Sequence, residues 1–387
     1  MSLLATETDF GLSLLNQAPL TESAVLSPLS VFLALSLVHA GAKGNTRDEI
    51  RNSFAKNIND QQFSSHFSKL MTSIKTSNDN KTAVRIANRL FAKQGLEFKA
   101  EYLTDIKKNY GAEAENIDIA KPAEAAQTMN DFVEDTTNGK IKNLIQESSV
   151  TPDTVGFLIN AVYFKAEWEF KFSNSSTTKI DFYSNANTKK NIPFLVEREE
   201  YRMYAEDADV QLLKLNYAGG DYAFSIILPK KRFGLSELRT KLTGAKIQDL
   251  LNNVKSTYMN VKIPKMKIET ELDLKQSLPE LGIKQMFTDK ADLSGIAKTA
   301  LKVSEGKTKA IIEVDEDGTT AAAATFFKIV PMSLNLQQPK DFLADHPFAT
   351  HGYWEIGKTH TSNSEPSKHT LRAMRAAIAE ELLMLKE

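Results

Sequence analysis

The sequence predicts one mixed α+β domain built around a large β-sheet. Apolar residues recur at helical spacing through most of the first 150 residues, whereas β-branched and aromatic runs dominate from residue 155 onwards. No Ser/Gly-rich linker and no internal repeat divides residues 1–348. Of the 387 residues, 42% are apolar and 25% are charged, which is typical of a globular protein.

Three segments of the N-terminal part are predicted to be helices. Residues 9–17 carry apolar side chains at helical spacing. A second helix begins after Asn45 or Thr46 and has acidic residues in its first turn, where the helix dipole favours them. A third occupies much of 125–145 and stops at Asn138, which precedes a glycine.

Residues 24–42 form the most apolar segment of the chain. Their length suits a membrane span, but the segment contains Pro28, three serines and His39. We therefore predict a buried helix that begins near Ser27 or Ser30, with an uncleaved internal export signal as the alternative. The first twenty residues lack the basic start of a cleavable signal. Since the chain also has no cysteine, we expect a cytoplasmic protein.

Several β-branched and aromatic runs are predicted to be strands. The run "VGFLINAVYF" (155–164) is continuously apolar, as expected for a strand covered on both faces. Shorter runs with strand composition follow it at 210–217, 222–229, 258–269 and 300–318.

The motifs of common enzymes are missing. There is no GxSxG, P-loop, GxGxxG or HExxH motif. His351, His360 and His369 recur at a spacing that fits no helical or strand ligand face. Residues 315–317, Asp-Glu-Asp, are predicted to form an exposed, solvated turn. The net charge of −1 without a basic block argues against nucleic-acid binding. We therefore expect no catalytic residue, no metal and no cofactor.

Seven segments identify a family resemblance. In order along the chain, they lie at 26–46, 87–91, 133–145, 160–172, 273–296, 315–325 and 341–348. They resemble segments of the serpins, of the intracellular ovalbumin-like type, although Ala166 stands where glycine is usual. The resemblance extends from about Asp9 to Phe348 and implies a serpin domain at 1–348. That fold has three β-sheets, eight or nine helices and an exposed reactive-centre loop, here about 316–338.

The implied activity is suicide inhibition of proteases. The resemblance makes Glu316 the start of the loop hinge, and the loop length usual in inhibitory members puts the scissile bond at Met332–Ser333. The arm that would insert into the sheet comprises Gly318, Thr319, Thr320, Ala321, Ala322, Ala323, Ala324 and Thr325. Its inward positions carry small uncharged side chains, which an entering strand needs. Read alone, the Ala/Thr run is also compatible with a helix or a plain linker.

The resemblance also assigns residues that support the sheet. Lys265 would pair with Glu316, and Trp168 would pack beneath that point. Three residues match a polar cluster under the centre of the sheet, namely Ser27, Ser30 and Asn160. Thr308 stands where the family usually has histidine. A hydroxyl can donate one hydrogen bond but cannot span the distance that an imidazole spans, so we expect the energetics of sheet opening to differ.

Met332 suggests the class of target. Its long uncharged side chain suits chymotrypsin-, elastase- or cathepsin-like pockets rather than trypsin-like ones. We expect an inhibitor of serine proteases, with cysteine proteases as a second class, that is monomeric before complex formation and does not bind membranes. Two alternatives stay open: a non-inhibitory serpin that acts as a binding protein, and an inactive splice form whose tail binds a partner.

The tail at 349–387 departs from the family, whose last two strands it is predicted to replace. Residues 357–370 have the polar composition of a linker. An apolar stripe then predicts an amphipathic helix at 370–386, formed by Leu371, Met374, Ile378, Leu382 and Leu385. Without the two strands, the chain should fold poorly unless this helix covers the exposed core.

Overall fold

The computed structural model describes residues 3–17, 23–54, 58–76, 82–220, 222–319, 337–354 and 382–385. These residues contain nine α-helices: α1 (Leu3–Leu15), α2 (Pro28–Gly41), α3 (Gly44–Phe54), α4 (Asp60–Thr76), α5 (Ala100–Tyr110), α6 (Pro122–Thr136), α7 (Leu235–Lys241), α8 (Gly244–Asn252) and α9 (Leu274–Glu280). None of the helices within these ranges is both long and apolar enough to cross a bilayer.

The described residues also form fifteen strands: β1 (Ala24–Leu26), β2 (Thr82–Lys93), β3 (Glu113–Ile117), β4 (Gly156–Glu167), β5 (Thr178–Asn185), β6 (Thr188–Glu206), β7 (Val210–Asn216), β8 (Tyr222–Pro229), β9 (Lys255–Pro264), β10 (Met266–Asp273), β11 (Glu305–Val314), β12 (Gly318–Thr319), β13 (Lys340–Leu343), β14 (Phe348–Trp354) and β15 (Leu382–Leu385).

A six-stranded sheet in the order β10-β11-β12-β4-β2-β3 lies at the centre of the fold. Its strand β4 is buried along almost its whole length, as its continuous apolar run predicts. Side chains of β4 alternate between two hydrophobic clusters. Leu158 and Val162 belong to the larger cluster with α2. Phe157 and Ile159 belong to the smaller one with α6. The sheet is therefore covered on both faces.

The other strands form a nine-stranded sheet in the order β1-β15-β14-β8-β7-β6-β9-β13, with β5 paired to β6. Strand β6 bends where its register to β9 shifts between Glu197 and Glu200, and Glu199 there has a φ of 57°. Before the bend β6 pairs with β5, and after it with β7. The part of this network that contains β5 and the part that contains β7 are therefore joined through β6. Together they account for two of the three predicted sheets.

Helix α2 corresponds to the most apolar segment and is buried, as predicted. Its N-cap is Ser27, whose hydroxyl accepts a hydrogen bond from the main chain of Ser30 at 3.3 Å. Pro28 occupies the first turn, where a missing N–H costs little. The helix packs against α5, β2 and β4, which explains why it has no polar face.

The tail differs from its prediction. Strand β14 runs from Phe348 to Trp354, so the boundary predicted after residue 348 falls at the start of a strand. Leu382–Leu385, predicted to end a helix, instead form β15 between β1 and β14. The helix prediction is therefore wrong at these four residues. Backbone pairing with two strand edges outweighs the helical spacing of the leucines. Residues 355–381 and 386–387 lie outside the described residues.

Candidate functional site

The hinge, which we define as residues 315–319, enters the six-stranded sheet at one end. After β11 ends at Val314, the chain turns back, and β12 lies between β11 and β4. Thr319 is opposite Val314 on one side and Ala166 on the other, while Gly318 is opposite Glu167. Thr319 is completely buried. The first two residues of the predicted inserting arm are therefore already part of the sheet.

A tight turn reverses the chain at the hinge. One carboxylate oxygen of Asp315 accepts hydrogen bonds from the main-chain nitrogens of Asp317, at 3.0 Å, and Gly318, at 3.2 Å. Burial raises the pKa of Asp315, against the effect of these two bonds. Gly318 has a φ of +153°, and a Cβ at this position would lie 2.1 Å from the carbonyl oxygen of Ala166. Only glycine fits here without displacing β4.

Glu316 is held by two side chains. Its carboxylate accepts a hydrogen bond from Lys265 Nζ at 2.7 Å and another from Thr177 Oγ1 at 2.7 Å. Burial alone would raise the pKa of Glu316, but the bonds from Lys265 and Thr177 outweigh burial and lower it. The predicted Lys265–Glu316 pair is thus present. The prediction of an exposed acidic turn is wrong, since Glu316 is only 6% exposed.

Trp168 lies against the hinge, where it was predicted to pack. Its indole Nε1–H donates to the carbonyl of Asp315 at 2.9 Å, and its main-chain N–H donates to the carbonyl of Asp317 at 2.9 Å. The indole stacks on Tyr217, with ring centroids 4.5 Å apart. The hydroxyls of Tyr217 and Thr319 are hydrogen-bonded at 2.7 Å. The stacked pair thereby fixes both the turn and the end of β12.

Lys171 adds an ionic contact to the same point. Its Nζ lies 3.1 Å from a carboxylate oxygen of Asp317 and 3.2 Å from one of Glu167. Burial would lower the pKa of Lys171, but the two carboxylates outweigh burial and raise it. Sequence reasoning missed Lys171, Thr177 and Tyr217. The only sequence signal for Lys171 was a basic residue close to an aromatic segment, which is weak evidence for a contact with the hinge. Tyr217 is distant in sequence from the hinge, and only the fold brings it there.

A polar cluster lies under the middle of the sheet, where the family resemblance predicts it. Asn160, on β4, is fully buried. Its side-chain carbonyl accepts hydrogen bonds from Ser30 Oγ and Thr308 Oγ1, both at 2.7 Å. Its amide nitrogen donates to the carbonyl of Ser30 at 2.9 Å and to the side chain of Asn88 at 2.5 Å. Ser27 joins the cluster through Ser30, whose single hydroxyl proton is shared between Asn160 and the Ser27 carbonyl, 3.0 Å away.

Thr308 completes this cluster directly. It is opposite Asn160 in the parallel pairing of β11 with β4. At this position the short threonine side chain reaches Asn160 without the length of an imidazole. The expectation that a hydroxyl is too short is therefore wrong for this contact. Below the hinge, β11 and β4 pair from Glu305↔Phe157 to Ile311↔Tyr163. This closed section is what a further inserting strand would have to separate.

The remaining predicted site residues lie outside the described residues. They are the rest of the arm and the scissile bond, namely Thr320, Ala321, Ala322, Ala323, Ala324, Thr325, Met332 and Ser333. Within the described ranges, no group of three or more His, Asp or Glu side chains is placed to hold a metal ion. The hinge thus holds Gly318 and Thr319 between β11 and β4 at one end of the six-stranded sheet.

Comparisons with known proteins agree with this geometry. The family model described as "Serpin (serine protease inhibitor)" matches residues 5–352. Human Serpin B4 is 34% identical over 83% of this chain and 87% of its own length. The Drosophila melanogaster protein "Serine protease inhibitor 42Dd" is 33% identical over 87% of this chain and 89% of its own.

A solved structure with a similar fold is that of Serpin48 from the insect Tenebrio molitor. It is 28% identical, with a TM-score of 0.84, and the alignment covers 100% of this chain and 98% of that protein. The similarity therefore includes the arrangement of both sheets.

Proposed function

Because the chain belongs to the serpin family of serine protease inhibitors, we propose that it traps its target as a suicide substrate. The protease cleaves Met332–Ser333 and is left as an acyl-enzyme on Met332. The arm from Gly318 onwards then enters the six-stranded sheet as a complete strand and carries the bound protease with it. As in the family generally, the chain acts as an inhibitor rather than a catalyst.

The position of β12 carries this proposal. Gly318 and Thr319 already pair with strands on both sides, and the six residues after them have no charge and no large side chain. Each further residue can repeat what Thr319 does, alternating between the interior and the outer face. A charged or bulky residue at an inward position would stop the entry.

The energy for trapping comes from the new hydrogen bonds. A strand that enters between two others gains a ladder on both sides. About twenty new bonds at ~0.5–1.5 kcal/mol each give on the order of 10–30 kcal/mol, from which the bonds between β11 and β4 that insertion separates are subtracted. A typical domain is stable by only about 5–15 kcal/mol, so the gain is large enough to deform the bound protease.

Met332 defines the proposed target class. An uncharged, flexible side chain before the scissile bond fits chymotrypsin-, elastase- and cathepsin-like pockets. We place the activity in the cytoplasm, because a chain with no cysteine forms no disulfides and so does not need an oxidising compartment to fold. Before it meets its target, the inhibitor acts as a monomer.

Incubation with chymotrypsin and with elastase tests the proposal. The full chain should form an SDS-resistant complex with the protease, and mass spectrometry should find a released fragment that begins at Ser333. Thr319→Arg should abolish the complex while cleavage continues, because the charge would have to enter the sheet interior. Thr320→Arg is the matched control, since this adjacent position points outwards in the inserted strand and should retain most of the complex.

The opposite results are equally clear. Cleavage at Met332–Ser333 with free, active protease would identify a substrate and favour a non-inhibitory serpin. An undiminished complex with the Thr319→Arg variant would exclude insertion of the arm as the trapping step.

A further inference from the structure

A row of polar side chains crosses the nine-stranded sheet, away from the hinge. Met203 of β6 is opposite Lys214 of β7, and Lys214 is opposite Ser225 of β8. Ser225 is in turn opposite His351 of β14. Directly opposed residues of antiparallel strands point to the same face of a sheet and lie about 4.5–5.5 Å apart at Cα. The row therefore places an ammonium, a hydroxyl and an imidazole next to one another on one face.

The three polar members of this row are buried. Lys214 is 8% exposed, and Ser225 and His351 are completely buried. Within the described part of the chain, the hydroxyl oxygen of Ser225 has no hydrogen-bond partner, and a buried hydroxyl in that state costs free energy until a ligand or water pairs with it. A buried lysine ammonium favours a negatively charged neighbour. The row therefore offers the donors that an anion needs, and the proposed inhibition uses none of them.

A surface cleft leads to the lysine end of the row. Its lining includes Met203 and Lys214 of the row together with Phe170 and Tyr201, and we call it the Phe170–Tyr201 cleft. Its empty volume is about 320 Å³, part of which is open to solvent. This volume is at the small end of the range of ~300–1,000 Å³ that is typical of ligand sites. The cleft therefore has room for a ligand with one ring rather than for a large cofactor.

Two aromatic side chains of the cleft are unusually exposed. Phe170 is 58% exposed and Tyr201 is 53% exposed, although large aromatic residues are mostly buried in folded proteins. The guanidinium carbon of Arg202 lies over the ring of Phe170, 5.2 Å from its centroid. The ring of Tyr201 packs beside that of Tyr258, with centroids 5.3 Å apart. Two aromatic groups that line one cleft and remain this exposed indicate a contact surface for another ring.

The charges around the cleft set the orientation of a ligand. Two charged groups that line it have partners: Arg202 is hydrogen-bonded to the carboxylate of Glu197. The carboxylate of Glu169 accepts a hydrogen bond from the side-chain amide of Asn216 at 3.0 Å. Lys214 is the cation that the cleft shares with the buried polar row. A negatively charged group is therefore favoured at Lys214, and an uncharged ring is favoured at the exposed aromatic side chains.

We propose that the Phe170–Tyr201 cleft binds a small aromatic carboxylate. The ring of the ligand packs against Phe170 and Tyr201, and its carboxylate accepts a hydrogen bond from the ammonium of Lys214. The hydroxyl of Ser225, directly opposite Lys214 in the sheet, is the second donor. The proposal does not rest on protease inhibition, so its tests can fail or succeed independently of that function.

Isothermal titration calorimetry of the full chain with hydrocinnamate tests the proposal. Hydrocinnamate should bind saturably with one site per chain. Hydrocinnamyl alcohol keeps the ring but replaces the carboxylate with a neutral hydroxyl, and it should bind at least about tenfold more weakly because a charge-assisted hydrogen bond is lost. Propanoate keeps the carboxylate but lacks the ring, and it should also bind at least about tenfold more weakly.

Two pairs of variants locate the binding site. Lys214→Met keeps most of the side-chain length without the charge, and it should weaken hydrocinnamate binding at least about tenfold while the alcohol binds as before. Its control is Lys298→Met, at a lysine that is paired with Glu97 outside the cleft. Phe170→Ser should weaken the binding of both compounds. Its control is Leu103→Ser on α5, which is also an exposed apolar residue. Both controls should bind like the natural chain.

Three results would overturn the proposal. The first is that the natural chain shows no saturable binding of hydrocinnamate. The second is that the acid and the alcohol bind equally well, since no cation would then recognise the carboxylate. The third is that Lys214→Met and Lys298→Met lose the same affinity, which would indicate a general effect of charge. If Lys214→Met does not fold, the comparison of acid with alcohol on the natural chain decides.

Discussion

At the scale of single residues, His39 on α2 is a buried titratable group whose pKa departs from its usual value. It is fully buried and packs against Phe63, with ring centroids 4.3 Å apart and the ring planes tilted by 36°. Its Nε2 lies 3.4 Å from a carboxylate oxygen of Asp60. Burial, followed by the charge of Arg47, lowers its pKa from 6.5 to about 4, although Asp60 opposes this. The charged form of His39 is therefore disfavoured in the folded protein.

This shift predicts a loss of stability in mild acid. Between pH 6.5 and about 4 the unfolded chain binds a proton at His39 that the folded chain does not, so stability falls as the pH falls. The full difference, 6.5 − 4, corresponds to roughly 3 kcal/mol. Urea unfolding at pH 7.5 and pH 4.5 should show a smaller acid loss for His39→Gln than for the natural chain. His360→Gln, in the tail, is the control and should behave like the natural chain; identical losses in all three would exclude His39.

The residue scale also shows which contacts a sequence can predict. Lys265 and Glu316 were foreseeable because the family motifs fix both positions. The role of Tyr217 was not foreseeable from the sequence, because it depends on stacking with Trp168 and on a hydrogen bond to the buried Thr319. The sequence identifies Thr308 as a member of the polar cluster, but the expectation that its side chain is too short is wrong. The register of β11 on β4 brings its hydroxyl within hydrogen-bond distance of Asn160.

At the scale of elements, β12 depends on one glycine. Gly318→Ala should expel the hinge from the sheet, because the added Cβ would approach the carbonyl oxygen of Ala166 to 2.1 Å. Hydrogen exchange at Thr319 should become faster, and a larger share of the chain should be cleaved rather than complexed. The control is Gly220→Ala, which has a φ of +76° but nothing within 4 Å of the new Cβ. An equal effect of both changes would mean that backbone strain, not the close approach, matters.

The elements also explain where prediction from sequence fails. The prediction of α2 is reliable because nineteen apolar-rich residues with a serine cap and a proline have few alternatives. The leucines of β15 fit a helix when they are read with Leu371, Met374 and Ile378, since periodicity reports only the local chain. They form a strand because they pair with β1 on one side and β14 on the other. Both partners are distant in sequence from β15, so the local pattern of residues does not show them.

At the scale of the whole molecule, suicide inhibition requires that the intact chain is not the most stable arrangement of its own sequence. Cleavage at Met332–Ser333 should therefore raise the melting temperature. New strand pairing supplies on the order of 10–30 kcal/mol, and each kcal/mol raises the melting temperature by about 1–2 °C for a chain of this size by extrapolation. A rise of about 10 °C or more is therefore expected in calorimetry. Cleaved Thr319→Arg protein is the control and should melt near the intact chain. If the cleaved natural chain melts no higher, no energy is stored.

Residues 24–26 and 382–385 are far apart along the chain but pair in one sheet, and this affects the order of folding. Ala24 pairs with Met384, so β1 cannot acquire this neighbour until residue 384 has been translated. Contacts between such distant positions close slowly, because a very long loop must be ordered first. Strand β1 leads directly into Ser27 and α2, and hence into the hydrogen bonds of Asn160. A nascent chain therefore keeps β1 without this strand partner until residues 382–385 have been synthesised.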